Sequence, residues 1–395
     1  MAILVGVGSS KNSNPEEAVS EAYYQANDTL NGNQPSFLML LASPTTYNQQ
    51  GLLNSLKEKS GEAVIIGCST SGEITSNGPM DNSIALLAVY SDQMRFVPGL
   101  GQNIKDDPRK SGVELAENLK SKETDSNPKA AIILPDGLAG NGADIVRGIL
   151  DVFGSDFVLA GGSAGDDFEF KQTFQYLDNQ VLSGSVVGVG MYGEFNFGVG
   201  VRHGWIPIGT SRKVTKSESN VVYELDGKPA IQIYEDNFGK DKILVSKDEP
   251  LAKLAITYPL GIVLTDQNEY LIRDPITVDE QGAITCAAEV PEGSDVFIMI
   301  GSREEAIEAA GDAAHKALTQ LGGKKPKVAI LFNCIARKKL LMDKKKDEID
   351  KIREIIGGDV PLIGFYTYGE QAPLGGEVIT CSFHNETDVL FVLAE

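Results

Sequence analysis

Two short stretches of the chain set hydroxyls, glycines and a carboxylate at the same spacing. "GCSTSGEI" (residues 67–74) places Ser69, Thr70, Ser71 and Glu73 around Gly67 and Gly72, and "GFYTYGEQ" (residues 364–371) repeats the frame with Tyr366, Thr367, Tyr368 and Glu370. Glycine lets a backbone approach a ligand where a side chain would stand in the way. Exposed N–H groups in such a loop can hold a carboxylate. The hydroxyls add donors and acceptors, and either glutamate could take an ammonium group. Tyr366 and Tyr368 could wall a pocket or cover a cation. Together these are the parts needed to bind a small zwitterion. The competing account is a turn whose hydroxyls and carboxylate satisfy its own amides; the repetition of the frame favours binding.

Other residues offer different chemistry. Cys334 and Arg337 follow a strand end in "LFNCIARKK", and Arg273 lies in "LIRDP". Either arginine could pair with a ligand carboxylate or could simply be a surface cation. "GGSAG" (residues 161–165) matches the G-x-S-x-G nucleophile pattern through Ser163, but a strand-like "DDFEFKQTFQYL" follows where that pattern needs a helix. A hydrolase therefore ranks third among the readings. His203, in "GVGVRHGW", stands at a strand end with Trp205 beside it. Ligation of a haem iron by His203 is the alternative to an organic ligand; a histidine capping a strand end is the plain account.

Strands and helices must position these loops, and they recur. A first unit runs from "AILVGVGSS" through a helix, "SFLMLLAS", a second helix, "AVIIGCSTSGE" and "SIALLAVYS". A second runs from "MRFVPGLGQ" to "SVVGVGMYG", and a last one from "DVFIMIGSR" to "VITCSFHN", in the same order. Gly67, Gly161, Gly261 and Gly364 are spaced by 94, 100 and 103 positions, so about four units are expected. The third is degenerate, with a strand-rich stretch from about Thr257 to Val290. This order predicts an α/β fold of mixed sheets with flanking helices, the loops lying at strand carboxyl ends where such folds keep ligand sites. Two domains are expected, 1–222 and 223–395.

Composition narrows the function. Hydrophobic residues are 42% of 395, enough for a large core, and the formal charge of −20 opposes nucleic-acid phosphates and anionic membranes. No apolar run reaches the roughly 18 residues of a membrane span. The start, "MAILVGVGSS", reads as a first strand and not as a signal peptide. Cys68, Cys286, Cys334 and Cys381 form no C-x-x-C pair, and a reduced, cytoplasmic protein is expected.

With these motifs the chain resembles the FIST family, on "GCSTSGEI", "ELDGKPAIQIY" (224–234), "PLGI" (259–262), "YLIRDP" (270–275), "FNCIARKKLL" (332–341) and "GFYTYGEQAP" (364–373). The resemblance implies a FIST N-like half and a FIST C-like half acting as a sensor of prokaryotic signalling. It also implies a small ligand of amino-acid type, with haem-based nitric-oxide sensing as the alternative, and no catalysis. No kinase or other output sequence accompanies the motifs. The expected partner is a separate signalling protein, such as a histidine kinase or cyclase.

Overall fold

In the computed structural model, which describes residues 2–120, 126–239, 252–264, 269–375 and 378–395, three units are built alike. Each opens on a strand carrying G-x-G: Ile3–Ser10, Met94–Gly101 and Asn196–Arg202. These glycines let a helix lie directly on the sheet. A Cβ on Gly8 would come within 1.9 Å of the Ala22 carbonyl oxygen, and one on Gly200 within 1.7 Å of that of Ala313. Gly200→Ala is therefore expected to force strand and helix apart and to cost about 1–3 kcal/mol. A urea midpoint equal to that of the wild type would show that the helix is free to move off.

Sequence punctuation sets the helices. Asn14, Asn48, Asp107, Asn141 and Ser302 each accept from a backbone N–H of the first turn, as N-caps do. Within every unit the strands lie in the order first, fourth, second, third, with the second and third parallel. The second strands are buried on both faces. In Phe37–Ala42, residues Phe37, Met39 and Leu41 point to a central core, while Leu38, Leu40 and Ala42 pack under the helices. That central core takes residues from all three sheets, including Ile66, Ile132 and Phe365, so the sheets face one another and the helices lie outside.

A hairpin follows each third strand, and it crosses to another unit. Glu73–Thr75 extends the sheet of the last unit, Gln175–Leu177 that of the first, and Glu370–Gly375 that of the second. The exchange is cyclic: Glu73 faces Phe365, Gln175 faces Cys68, and Glu370 faces Gly162. Each of those partners directly follows one of the repeated glycines.

The mixed α/β architecture of repeated units is as expected; the stretch read as a degenerate unit is organised differently. "FNFGVGVR" pairs with Asp388–Ala394 and is the first strand of the last unit, the place expected for "DVFIMIGSR". Asp295–Gly301 instead pairs with Trp205–Glu218. The described residues between 205 and 301 form a lobe with its own sheet and core, inserted between the first strand of the last unit and its helix Arg303–Gln320. Gly261 belongs to that lobe, opposite Ile272 and Phe297, and has no counterpart role to Gly67. Val222, the expected domain boundary, lies in the lobe's sheet opposite Ile284. Of the strand-rich stretch expected there, residues 265–268 lie outside the described residues.

Candidate ligand site

Both Thr-x-Gly-Glu frames are buried locks. Thr70 Oγ1 donates to Glu73 Oε1 at 2.5 Å and accepts from the Gly72 N–H at 3.2 Å. Thr367 Oγ1 does the same with Glu370 Oε1 at 2.6 Å and the Gly369 N–H at 3.1 Å. The second carboxylate oxygen reaches the residue before, or next to, the fourth strand of its own unit. Glu73 Oε2 accepts from the Ser83 hydroxyl, and Glu370 Oε2 from Thr387 Oγ1 at 2.7 Å. Burial pushes Glu73 up to about 8 and Glu370 to about 7, which the hydroxyl donors only partly offset. Neither glutamate is solvent-exposed, and neither lines the cavity described below.

The rest of the first loop ties the units together. Gly67 sits inside a strand where a Cβ would meet the Leu40 carbonyl oxygen at 2.0 Å, so it serves sheet packing and not a ligand. Ser69 Oγ donates to the Gly165 carbonyl at 2.9 Å and accepts from the Phe174 N–H at 2.9 Å. Ser71 Oγ accepts from the Asp167 N–H, while its carbonyl accepts from Lys338 Nζ at 2.6 Å. Tyr366 is buried in the core under the last unit's helices, with Lys338 Nζ 5.1 Å from its ring centre.

The arginines are also structural. Arg337 is fully buried and donates to Glu348 Oε1 at 2.6 Å, Asp388 Oδ2 at 2.7 Å, the His203 carbonyl at 2.5 Å and the Ala306 carbonyl at 2.8 Å. Burial would lower its pKa, but Asp388 and Glu348 more than offset this. His203 and Ala306, two of its carbonyl partners, flank the points where the chain leaves for the lobe and returns, so Arg337 clasps the lobe's base. Arg273 is spent on the carbonyls of Glu289 (2.7 Å), Ile272 (2.9 Å) and Phe383 (3.3 Å), and burial pulls it down to about 10.

His203, the residue expected for the haem alternative, stands at the base of the lobe with one ring nitrogen already engaged. Its Nδ1 accepts from the Trp205 N–H at 2.9 Å, and burial with the Arg337 charge drives its pKa down to about 3. Trp205 packs on Ile272 and Met299, with the Arg337 guanidinium 5.7 Å from its ring, while His203 keeps part of its surface exposed. Ser163 Oγ accepts from Gln371 Nε2 at 2.9 Å, an amide that cannot serve as a base.

A cavity of about 320 Å³ opens between the second unit, the last unit and the lobe. Of the expected binding residues it collects Cys334 and Tyr368, and it also takes Ser163. The segment after the second unit's central strand contributes Asp136 and Leu138, the lobe contributes Asp274 and Ile276, and the loop after Gly165 contributes Phe168 and Phe170. That loop is strained: Asp167, Phe168 and Phe170 have φ of 59°, 69° and 51°. The Asp166 carboxylate holds it by accepting from the N–H groups of Phe170, Lys171 and Gln172 and from the Tyr368 hydroxyl. Phe170 stacks on Tyr368 with ring centres 5.2 Å apart. Asp136, Asp274 and the phenylalanines were missed in the sequence; the signals were "LPDG" at a central strand end, "RDP", and the extra residues that make the second unit's loop longer than its counterparts.

A largely apolar cavity with a few converging polar groups, at a junction of domains, defines a small-molecule-binding module. Residues 36–228 match the FIST N domain and residues 230–373 the FIST C domain, so the chain belongs to the FIST family, whose domains are sensory, ligand-binding modules of signal transduction. The uncharacterized protein Rv0628c of Mycobacterium tuberculosis is 26% identical over 94% of this chain and 95% of its own length. MJ1623 of Methanocaldococcus jannaschii is 26% identical over 64% of this chain, and the match spans about half, 51%, of that longer protein. A cyanuric acid hydrolase structure aligns over 100% of both chains at 8% identity with a TM-score of 0.38, too low to carry chemistry across. No helix among the described residues is long and apolar enough to cross a membrane.

Proposed function

We propose that the protein senses a small organic ligand held in the cavity between the repeated units and the lobe, and that it does so without catalysing a reaction. The supporting observation is the cavity's assembly from separately built parts: Asp274 and Ile276 belong to the lobe, Tyr368 and Asp136 to the repeated units. A ligand touching both sides has different affinity for two lobe positions, which is what a sensor requires. The lobe's displacement is the signal passed to a separate signalling protein, a histidine kinase or cyclase being the expected class.

Ala287 lines the cavity from the lobe and is exposed, so a larger side chain there fills the space without disturbing the core. In a thermal-shift screen of small polar and aromatic compounds, at least one compound should raise the Tm of the wild type and fail to raise that of Ala287→Trp. Identical profiles for the two proteins would remove the cavity from the function.

A further inference from the structure

We infer that the ligand is an amphiphilic amine without a carboxylate, its ammonium directed at Asp274 and its apolar part against Phe168, Phe170 and Tyr368. This rests on the cavity being the sensory site. The charged residues lining the cavity are Asp136 and Asp274, and among the described residues no lysine, arginine or histidine lines it. A zwitterionic amino acid would therefore bring its carboxylate into a chamber whose described lining holds two aspartates and no lysine, arginine or histidine.

The two aspartates are not equivalent. Asp136 is saturated: its carboxylate accepts from the N–H groups of Leu138 and Gly184, each at 2.8 Å, with Ser183 and Gln175 near 3.5 Å. Asp274 Oδ1 meets no donor in the protein, nor does either oxygen of the neighbouring Glu386. Asp274 is itself only partly buried and lines the cavity, so its carboxylate is the charge that an ammonium group of a ligand would meet. Arg273, its neighbour in the chain, is committed to three backbone carbonyls and does not enter the cavity.

The apolar end is equally defined. Leu138, Phe170 and Ile276 are three of the large hydrophobic side chains that stay exposed, at 38%, 60% and 40%, and all three line this cavity. Ser163 and Cys334 at the same cavity are nearly inaccessible, at 3% and 2%. The chamber thus runs from an apolar mouth to a closed polar end, which orders the ligand's two parts. Lys339 Nζ already lies 4.7 Å from the Phe168 ring centre, so that ring is accessible to a cation from outside.

Three probes separate the alternatives by calorimetry on the full chain: 2-phenylethylamine, phenylalanine, which adds a carboxylate, and 2-phenylethanol, which removes the charge. The amine should bind at least tenfold tighter than the other two, and Ala287→Trp should abolish its binding. Asp274→Asn should weaken the amine tenfold or more while leaving the alcohol's affinity as it was, which also shows that the variant is folded and its cavity intact. Phenylalanine or phenylethanol binding as tightly as the amine overturns the inference, as does an Asp274→Asn variant that keeps the amine. If none of the three binds while other compounds still stabilise the wild type and not Ala287→Trp, the amine assignment falls and the sensory site stands. If no compound does so, both fall.

Discussion

Arg337→Ala should lower the stability of this protein by about 3–5 kcal/mol, the cost of removing one partner from a buried ion pair. The guanidinium is inaccessible, and so are both carboxylates it meets, Glu348 and Asp388. Its loss strands those charges and frees the carbonyls of His203 and Ala306 at the lobe's base. Native domains are stable by only about 5–15 kcal/mol, so a large part of the total is at stake. Arg337→Lys should recover part of the loss, since it keeps the charge but cannot span two carboxylates and two carbonyls with a point ammonium. Urea midpoints for wild type, Lys and Ala variants should fall in that order. A wild-type midpoint for Arg337→Ala would restore this residue to the ligand-pairing role expected from its sequence.

Glu73→Ala should also be severe, about 1–3 kcal/mol for each of the two buried hydroxyls, Thr70 and Ser83, left without an acceptor. Glu73→Gln should be milder and should change the pH dependence. The folded-state pKa of Glu73 is raised from 4.5 to about 8. Between these values the native protein holds a proton that the unfolded chain has released, so this group's contribution is full below about 4.5, declines as pH rises and levels off above about 8. Glutamine carries no such proton. The wild type should therefore lose stability relative to Glu73→Gln from pH 5 to pH 8 in urea titrations. Parallel curves would mean that Glu73 is ionised throughout.

Much of the architecture was legible because its signals are local. Apolar strands, N-cap residues and the G-x-G at unit starts depend on near neighbours, and they repeat at a spacing of about a hundred residues. The inserted lobe was not legible. An apolar strand looks the same whether it belongs to a repeat or to an insertion, and only pairing decides. Asn196–Arg202 finds its partner in Asp388–Ala394, at the far end of the chain.

The sequence by itself determined that two Thr-x-Gly-Glu frames exist, that they follow equivalent strands, and that the chain is built of repeated α/β units. Tertiary structure decided what those frames do. A carboxylate beside hydroxyls reads as a binding group until its partners are known, and here those are Ser83 and Thr387, delivered by the start of each fourth strand. The exchange of hairpins closes the repeated loops on one another and buries them, so their threonine and glutamate groups are satisfied internally. The cavity arises off this repeat, where a lengthened loop and an inserted lobe break the symmetry. Asp136, Asp274 and Tyr368 are far apart in the chain, and only packing of the lobe against the units makes them one site.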